Sequence, residues 1–218
     1  MYEFKNVKIS WLGHDSFLLS NGKNVIIDPF KLKRTPLRPA DILLITHEHF
    51  DHLSIEDIKK VAAGNTIIVG PPACQVELSK AKVGQVKTIR PGDKLTIDSV
   101  TIEAVPAYNI NKFREPGKVF HPKEDQKVGY VVQLNGVRIY HAGDTDAIPE
   151  MKGLKTDVAL LPVSGTYVMT PEEAATAARY VNPSIAIPMH YGTIVGSEKD
   201  ATKFKELAPC PVQILKPE

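Results

Sequence analysis

The four apolar residues Ile42-Leu43-Leu44-Ile45 run directly into Thr46-His47-Glu48-His49-Phe50-Asp51-His52. A continuous apolar run of this length fits a strand buried on both faces, as in the parallel part of a layered sheet. The strand stops where the polar cluster starts, so the cluster sits at the strand's end. A helix is expected next, because Ser54-Ile55-Glu56-Asp57 reads as an N-cap with an acid three residues on. Ile58, Val61 and Ala62 then follow at helical spacing.

The cluster gathers three imidazoles and a carboxylate within six residues, in a chain with only 7 histidines. Such a pattern arises by accident on the order of a few times in ten thousand chains of this composition. Neutral imidazole suits Zn²⁺, Mn²⁺, Fe or Ni²⁺, and a neighbouring carboxylate neutralises charge, so the segment reads as a set of metal ligands. In an extended segment His47 and His49 project to one side and can reach one ion. The turn that follows can present Asp51 and His52 to a second ion or to the water between them.

The rest of the chain repeats this construction. Residues 7–12, 17–19 and 25–27 look like strands, the last two joined through Asn21-Gly22, a hairpin signal because both residues tolerate positive φ. Further strands are expected over 66–69, 86–89, 95–97 and 100–105. A second hairpin spans 128–134 and 137–140 around Asn135-Gly136, and buried strands are expected over 158–161 and 185–187. Thr170-Pro171-Glu172-Glu173 is a capping box with proline in the first turn, and Ser197-Glu198-Lys199-Asp200 starts another helix. Residues 106–127 show no clear repeat, and loops of that length in compact domains are usually functional or mobile. Strands followed by helix, given twice, predict a single α/β domain over 1–218: two mixed sheets face to face with helices outside, a four-layer sandwich.

Four ligands in one segment cannot close two metal sites, so others are expected at strand ends on the same rim. Asp144, in His141-Ala142-Gly143-Asp144-Thr145, follows the strand over 137–140, and its two oxygens could bridge two cations. His190, in Pro188-Met189-His190-Tyr191-Gly192, follows the strand over 185–187 in the equivalent position. His141 is assigned to structure.

The H-x-H-x-D-H segment, the later Gly143-Asp144 and the final His190 resemble the metallo-β-lactamase superfamily across nearly the whole chain. The opening Trp11-Leu12-Gly13-His14-Asp15-Ser16-Phe17 and Asn24-Val25-Ile26-Ile27-Asp28-Pro29 are similar to its branch containing ascorbate-6-phosphate lactonase. The resemblance implies the four-layer fold and two divalent cations, zinc foremost, with manganese, iron or nickel as alternatives. His47, His49 and a third histidine would hold one, Asp51, His52 and His190 the other, with Asp144 between. Asp28 would accept a hydrogen bond from a ligand imidazole. The third histidine usually follows the strand that here ends Val105-Pro106-Ala107, where this chain has Tyr108-Asn109. Either the long loop folds back to deliver His121, or the first site has a weaker ligand set.

His14 either faces the pocket, binding substrate or assisting proton transfer, or packs as a structural residue. Tyr108, Tyr167 and Tyr191 lie beside rim elements and are candidate substrate contacts. The expected activity is hydrolysis of an ester, lactone or phosphodiester bond in a small molecule by a metal-bound hydroxide, with Asp51 orienting it and relaying its proton. A compact nuclease and a non-catalytic metal-binding partner subunit are the alternatives. The net charge of +2, with Lys and Arg scattered, gives no electrostatic footprint for nucleic acid. No apolar run approaches a membrane span, and with no export signal the protein is expected in the cytoplasm. Asp144 stands where an antibiotic-hydrolysing relative carries Cys. His49 stands where the flavin-dependent di-iron oxidoreductases carry a carboxylate. Cys74 and Cys210 are expected to be inert thiols; oligomeric state is not specified by any motif.

Overall fold

The computed structural model describes residues 1–33 and 38–218. One sheet takes β1 (Tyr2–Phe4), β2 (Val7–Gly13), β3 (Ser16–Asn21), β4 (Lys23–Ile27), β5 (Ile42–Leu44), β6 (Ile67–Gly70) and β7 (Gln85–Thr88) in chain order. Strands β1 to β4 pair antiparallel, and β4 to β7 pair parallel. Helices α1 (Ile55–Val61) and α2 (Gln75–Ser79) lie in the crossovers of the parallel pairs β5–β6 and β6–β7. The chain continues through β8 (Lys94–Ile97), β9 (Val100–Pro106), β10 (Phe113–Glu115), β11 (Lys118–Val119), β12 (Val128–Leu134), β13 (Val137–His141) and β14 (Val158–Pro162). It ends with α3 (Pro171–Val181), β15 (Ile185–Met189) and α4 (Glu198–Leu207). The second sheet has the order β15-β14-β13-β12-β9-β8, and β10 and β11 form a separate small hairpin.

Period-two alternation sorts the apolar residues between layers. In β4 and β5, Val25, Ile27, Ile42 and Leu44 join the large core, which also takes Ile102, Tyr130, Val132 and Ile139 of the second sheet. Ile26 and Leu43 point the other way, onto Ile58, Val61 and Leu78 of α1 and α2. A strand lined on both faces has no polar positions to spare, hence the unbroken run at Ile42. Each such side chain, fully removed from water, contributes roughly 1.5–3 kcal/mol. Tyr130 crosses the core: its fully buried hydroxyl donates to the Ile45 carbonyl at 2.6 Å, tying β12 to the end of β5.

The helix starts follow their sequence signals. Ser54 and Thr170 each accept from the backbone three residues on, and Glu173 reaches back to the Thr170 N–H. At the β12–β13 turn Asn135 and Gly136 both adopt positive φ, 50° and 76°, as that dipeptide predicts. The first hairpin differs. Asn21 pairs with Lys23, and within that turn only Gly22 takes positive φ, so the strands close one residue tighter than expected. β1, α2 and the β10–β11 hairpin carry no sequence signal of their own and were not anticipated.

Candidate metal centre

The turn after β4 holds the His47 segment in place. Asp28, at the end of β4, accepts from the Thr46 N–H at 2.8 Å and the Thr46 hydroxyl at 2.6 Å. Its Oδ2 also lies 2.8 Å from Nδ1 of His52, which leaves Nε2 of that ring facing the centre. His47 is fixed likewise, Nδ1 on the Thr46 hydroxyl at 3.0 Å. Partners on the far nitrogen set tautomer and orientation, as in metal sites generally.

His121 reaches the same place from the long loop. Its Nε2 lies 3.3 Å from Nδ1 of His49, which lies 3.0 Å from Nε2 of His47. Asn109, at the position where the third histidine is usual, makes this possible: its Oδ1 accepts from both the His121 N–H at 2.9 Å and Nδ1 at 2.8 Å. Asp146, also buried, in turn accepts from the backbone of Ile110 and Asn111, pinning the loop. The loop over residues 106–127 thus folds back and sets His121 beside His49 and His47.

A second group forms beside the first. His190, in a left-handed conformation with φ 59°, has Nδ1 3.0 Å from the Ser164 hydroxyl and Nε2 3.4 Å from Asp144 Oδ1. His52 Nε2 lies 3.4 Å from that same oxygen. Asp144 Oδ2 faces the other way, 3.5 Å from His121 Nε2 and 4.0 Å from His47 Nε2. One carboxylate thus addresses both groups. His14, with φ 50°, places Nε2 3.0 Å from Asp51 Oδ2. Asp15 is fully buried beside it.

The donor atoms fit cations. His52 Nε2, His190 Nε2, Asp144 Oδ1 and both oxygens of Asp15 are buried with no hydrogen-bond partner, and such atoms are costly unless something is bound among them. Ligands about 2.1 Å from one ion stand roughly 3.0–3.7 Å apart, the spacing seen here. Three sets have ligand atoms all within 4.8 Å of one another: His47-His49-His121, His14-Asp51-His52-His190 and Asp15-His52-Asp144-His190. Every histidine except His141 belongs to one of them. His141 bridges two turns instead, Nε2 on the Asp15 carbonyl at 2.8 Å and Nδ1 accepting from the Gly143 N–H.

The two groups differ electrically. Burial, reinforced by His52, holds His47 well below its ordinary pKa. Burial and then Lys127 lower His49, and burial takes His121 to about 4. These three rings are neutral lone-pair donors at pH 7. At His52 burial again opposes charge, but Asp144 and Asp28 outweigh it and hold the ring well above the usual range. At His190 Asp144 and Asp15 likewise overcome burial, raising it to about 9. Burial also resists charge on Asp144 and Asp51; His190 and His52 nevertheless hold Asp144 well below the carboxylate range, and the His14 hydrogen bond takes Asp51 to about 2.

A cleft of about 340 Å³ opens on the centre, lined by His49, Phe50, Asp51, Phe120, His121, Asp144, Tyr167 and Ile194. Of the three tyrosines expected at the pocket, only Tyr167 lines it. The Tyr108 hydroxyl turns away to Glu150 at 2.9 Å, with Lys123 over its ring. Tyr191 is drawn into the core, its ring 4.8 Å from that of Trp11. Asp15, Asn109, Asp146 and Ser164 were not singled out by the sequence reading. Asp15 could have been noticed as the neighbour of His14; the others depend on contacts between distant segments.

The beta-lactamase superfamily domain matches residues 8–190. A UPF0173 metal-dependent hydrolase of Methanoculleus marisnigri is 34% identical over 205 residues, covering 91% of this chain and 87% of the relative. The crystal structure of a candidate metal-dependent hydrolase from Parabacteroides distasonis is 37% identical, with TM-score 0.81, covering 95% of this chain and 92% of that one. The metallo-beta-lactamase fold protein YhfI from Bacillus subtilis shares the fold at 15% identity and TM-score 0.75, over 96% of each chain. No helix among the described residues is long and apolar enough to cross a membrane. With its donor sets gathered at one end of two mixed sheets, the chain belongs to the beta-lactamase superfamily, within the UPF0173 metal-dependent hydrolases.

Proposed function

We propose that this protein is a dinuclear hydrolase of an ester, lactone or phosphodiester bond in a small molecule. His47, His49 and His121 would hold one cation and Asp51, His52 and His190 the other, with Asp144 shared; zinc is the first expectation, manganese, iron or nickel the alternatives. The observation that carries this reading is Asp144, one oxygen turned to each histidine group at 3.4–4.0 Å. Cations bound there supply Lewis acidity and lower the pKa of water from about 16 toward 7, on the order of 12 kcal/mol.

The chain's own residues supply the remainder. Asp51 lines the cleft and is ionised, so it can accept a proton from an attacking water, and His14 holds its Oδ2 in place at 3.0 Å. Phe50, Phe120, Tyr167 and Ile194 make apolar walls. They would seat the substrate's carbon skeleton and exclude bulk water from the reacting bond. No Lys or Arg is among the lining residues. Beyond the cations themselves, the wall offers no cation for the flanking phosphates of a polynucleotide, which favours a small substrate over a nucleic acid.

The test is metal analysis of the purified protein beside His49→Ala and Asp144→Ala, with turnover of an ester, lactone and phosphodiester panel. Two equivalents of metal, reduced in both variants, with ester, lactone or phosphodiester turnover support the reading. Metal content unchanged in both variants sinks the ligand assignment. Turnover of bis(p-nitrophenyl) phosphate alone, inhibited by polynucleotide at low salt, moves the substrate to nucleic acid. Full metal content with an inert panel points to a non-catalytic subunit.

A further inference from the structure

We propose that Asp15 is an additional ligand on the Asp51-His52-His190 side and makes that site select Mn²⁺ or Fe²⁺ over Zn²⁺. The inference rests on the dinuclear reading above and concerns what distinguishes its two halves.

Asp15 is fully buried, and neither carboxylate oxygen has a hydrogen-bond partner. An ionisable group left so in a protein interior is expensive. It is not set free to turn elsewhere, because its own carbonyl is held by His141 Nε2 at 2.8 Å, and the next residue, Ser16, bonds to the Asp28 carbonyl and to the Phe30 N–H. Asp15 Oδ2 lies 3.7 Å from Nε2 of His14, of His52 and of His190. That is too long for a hydrogen bond. It matches donors that share an ion about 2.1–2.2 Å from each, at angles near 120°. Asp144 Oδ1, His52 Nε2 and His190 Nε2 face the same space and also lack partners. Four buried side chains from four turns therefore point unpaired atoms at one position.

The two sides of the centre become chemically unequal. Three imidazoles and one oxygen of Asp144 suit Zn²⁺. On the other side Asp15 and the other oxygen of Asp144 group with His52 and His190, two carboxylates for two imidazoles, the more oxygen-rich set. Carboxylates favour Mn²⁺, and mixed carboxylate and imidazole sets with open positions favour Fe²⁺.

The test titrates metal-depleted wild-type protein and Asp15→Asn with Mn²⁺ after one equivalent of Zn²⁺, following the spin-resonance signal of free Mn²⁺ and bound metal by mass spectrometry. Wild-type protein should retain Zn²⁺ and take up one Mn²⁺. In Asp15→Asn the Mn²⁺ dissociation constant should rise tenfold or more, Zn²⁺ should compete into the vacated preference, and the first Zn²⁺ should bind as before. Thermal melting gives a second readout: Mn²⁺ added after one equivalent of Zn²⁺ should raise the Tm of wild-type protein more than that of Asp15→Asn. Asp15→Ser repeats both measurements if the asparagine does not fold. Equal Mn²⁺ affinity in wild type and variant overturns the assignment of Asp15. Wild-type protein that prefers two Zn²⁺ overturns the selectivity. Uptake of a single cation by wild-type protein overturns the dinuclear reading itself, and this proposal with it.

Discussion

Asn109 Oδ1 receives both the backbone N–H and Nδ1 of His121, at 2.9 and 2.8 Å. Where the superfamily resemblance calls for a histidine at the end of β9, this chain has an amide that grips one twelve residues later. Asn109→Ala should cut the loop free. The first cation's affinity should fall about 10- to 100-fold while the second is unchanged, measured by chelator competition. Equal weakening of both would mean that Asn109 supports the whole rim instead.

Gly143 precedes Asp144 with φ 63°, and a Cβ there would stand 2.9 Å from the Val128 carbonyl oxygen and 3.4 Å from the Thr46 side chain. Gly143→Ala combines backbone strain with a clash against backbone. It should cost about 1–3 kcal/mol in denaturant unfolding and lower metal content on both sides of Asp144. A stable variant with full metal would refute this.

Tyr130→Phe removes the hydroxyl that meets Ile45 O across the core. The unsatisfied carbonyl should cost about 1–3 kcal/mol, with metal content nearly unchanged, because Thr46 keeps its bonds to Asp28.

The two histidine groups should respond oppositely to pH. His121 titrates near 4 in the metal-free fold against an ordinary 6.5. Unfolded chains bind its proton first, so its contribution is complete above pH 6.5 and is lost as pH falls toward 4. His190 is raised to about 9; its contribution is complete below pH 6.5 and is lost as pH rises through 9. Metal-free stability should therefore decline on both sides of about pH 6.5. Cation capture follows the same protons: affinity on the His190 side should climb up to about pH 9, while the His121 side stays level above the ordinary imidazole range. Calorimetric titration in buffers of different ionisation heat reads the released protons directly.

Much of this was legible in local chemistry. The apolar run at Ile42, the caps at Ser54 and Thr170, and the Asn135-Gly136 turn act over a few residues, so their consequences could be read in place. His47, His49, Asp51 and His52 share one turn and were equally plain. The β10–β11 hairpin was not, since Phe113, Arg114 and Glu115 are all exposed and show no alternation to read. Nor was Asn109, whose importance exists only once residue 121 has returned to it. Tyr108 and Tyr191 show the reverse error: nearness in sequence to the rim did not decide which way a ring turned.

The donors belong to both sheets: His14, Asp15 and the His47 segment hang from the first, Asp144 and His190 from the second. An ion among them is therefore also a clasp across the mouth of the sandwich. Its departure would leave the two layers free to part at that end, so binding and cohesion of the sandwich would be one event there.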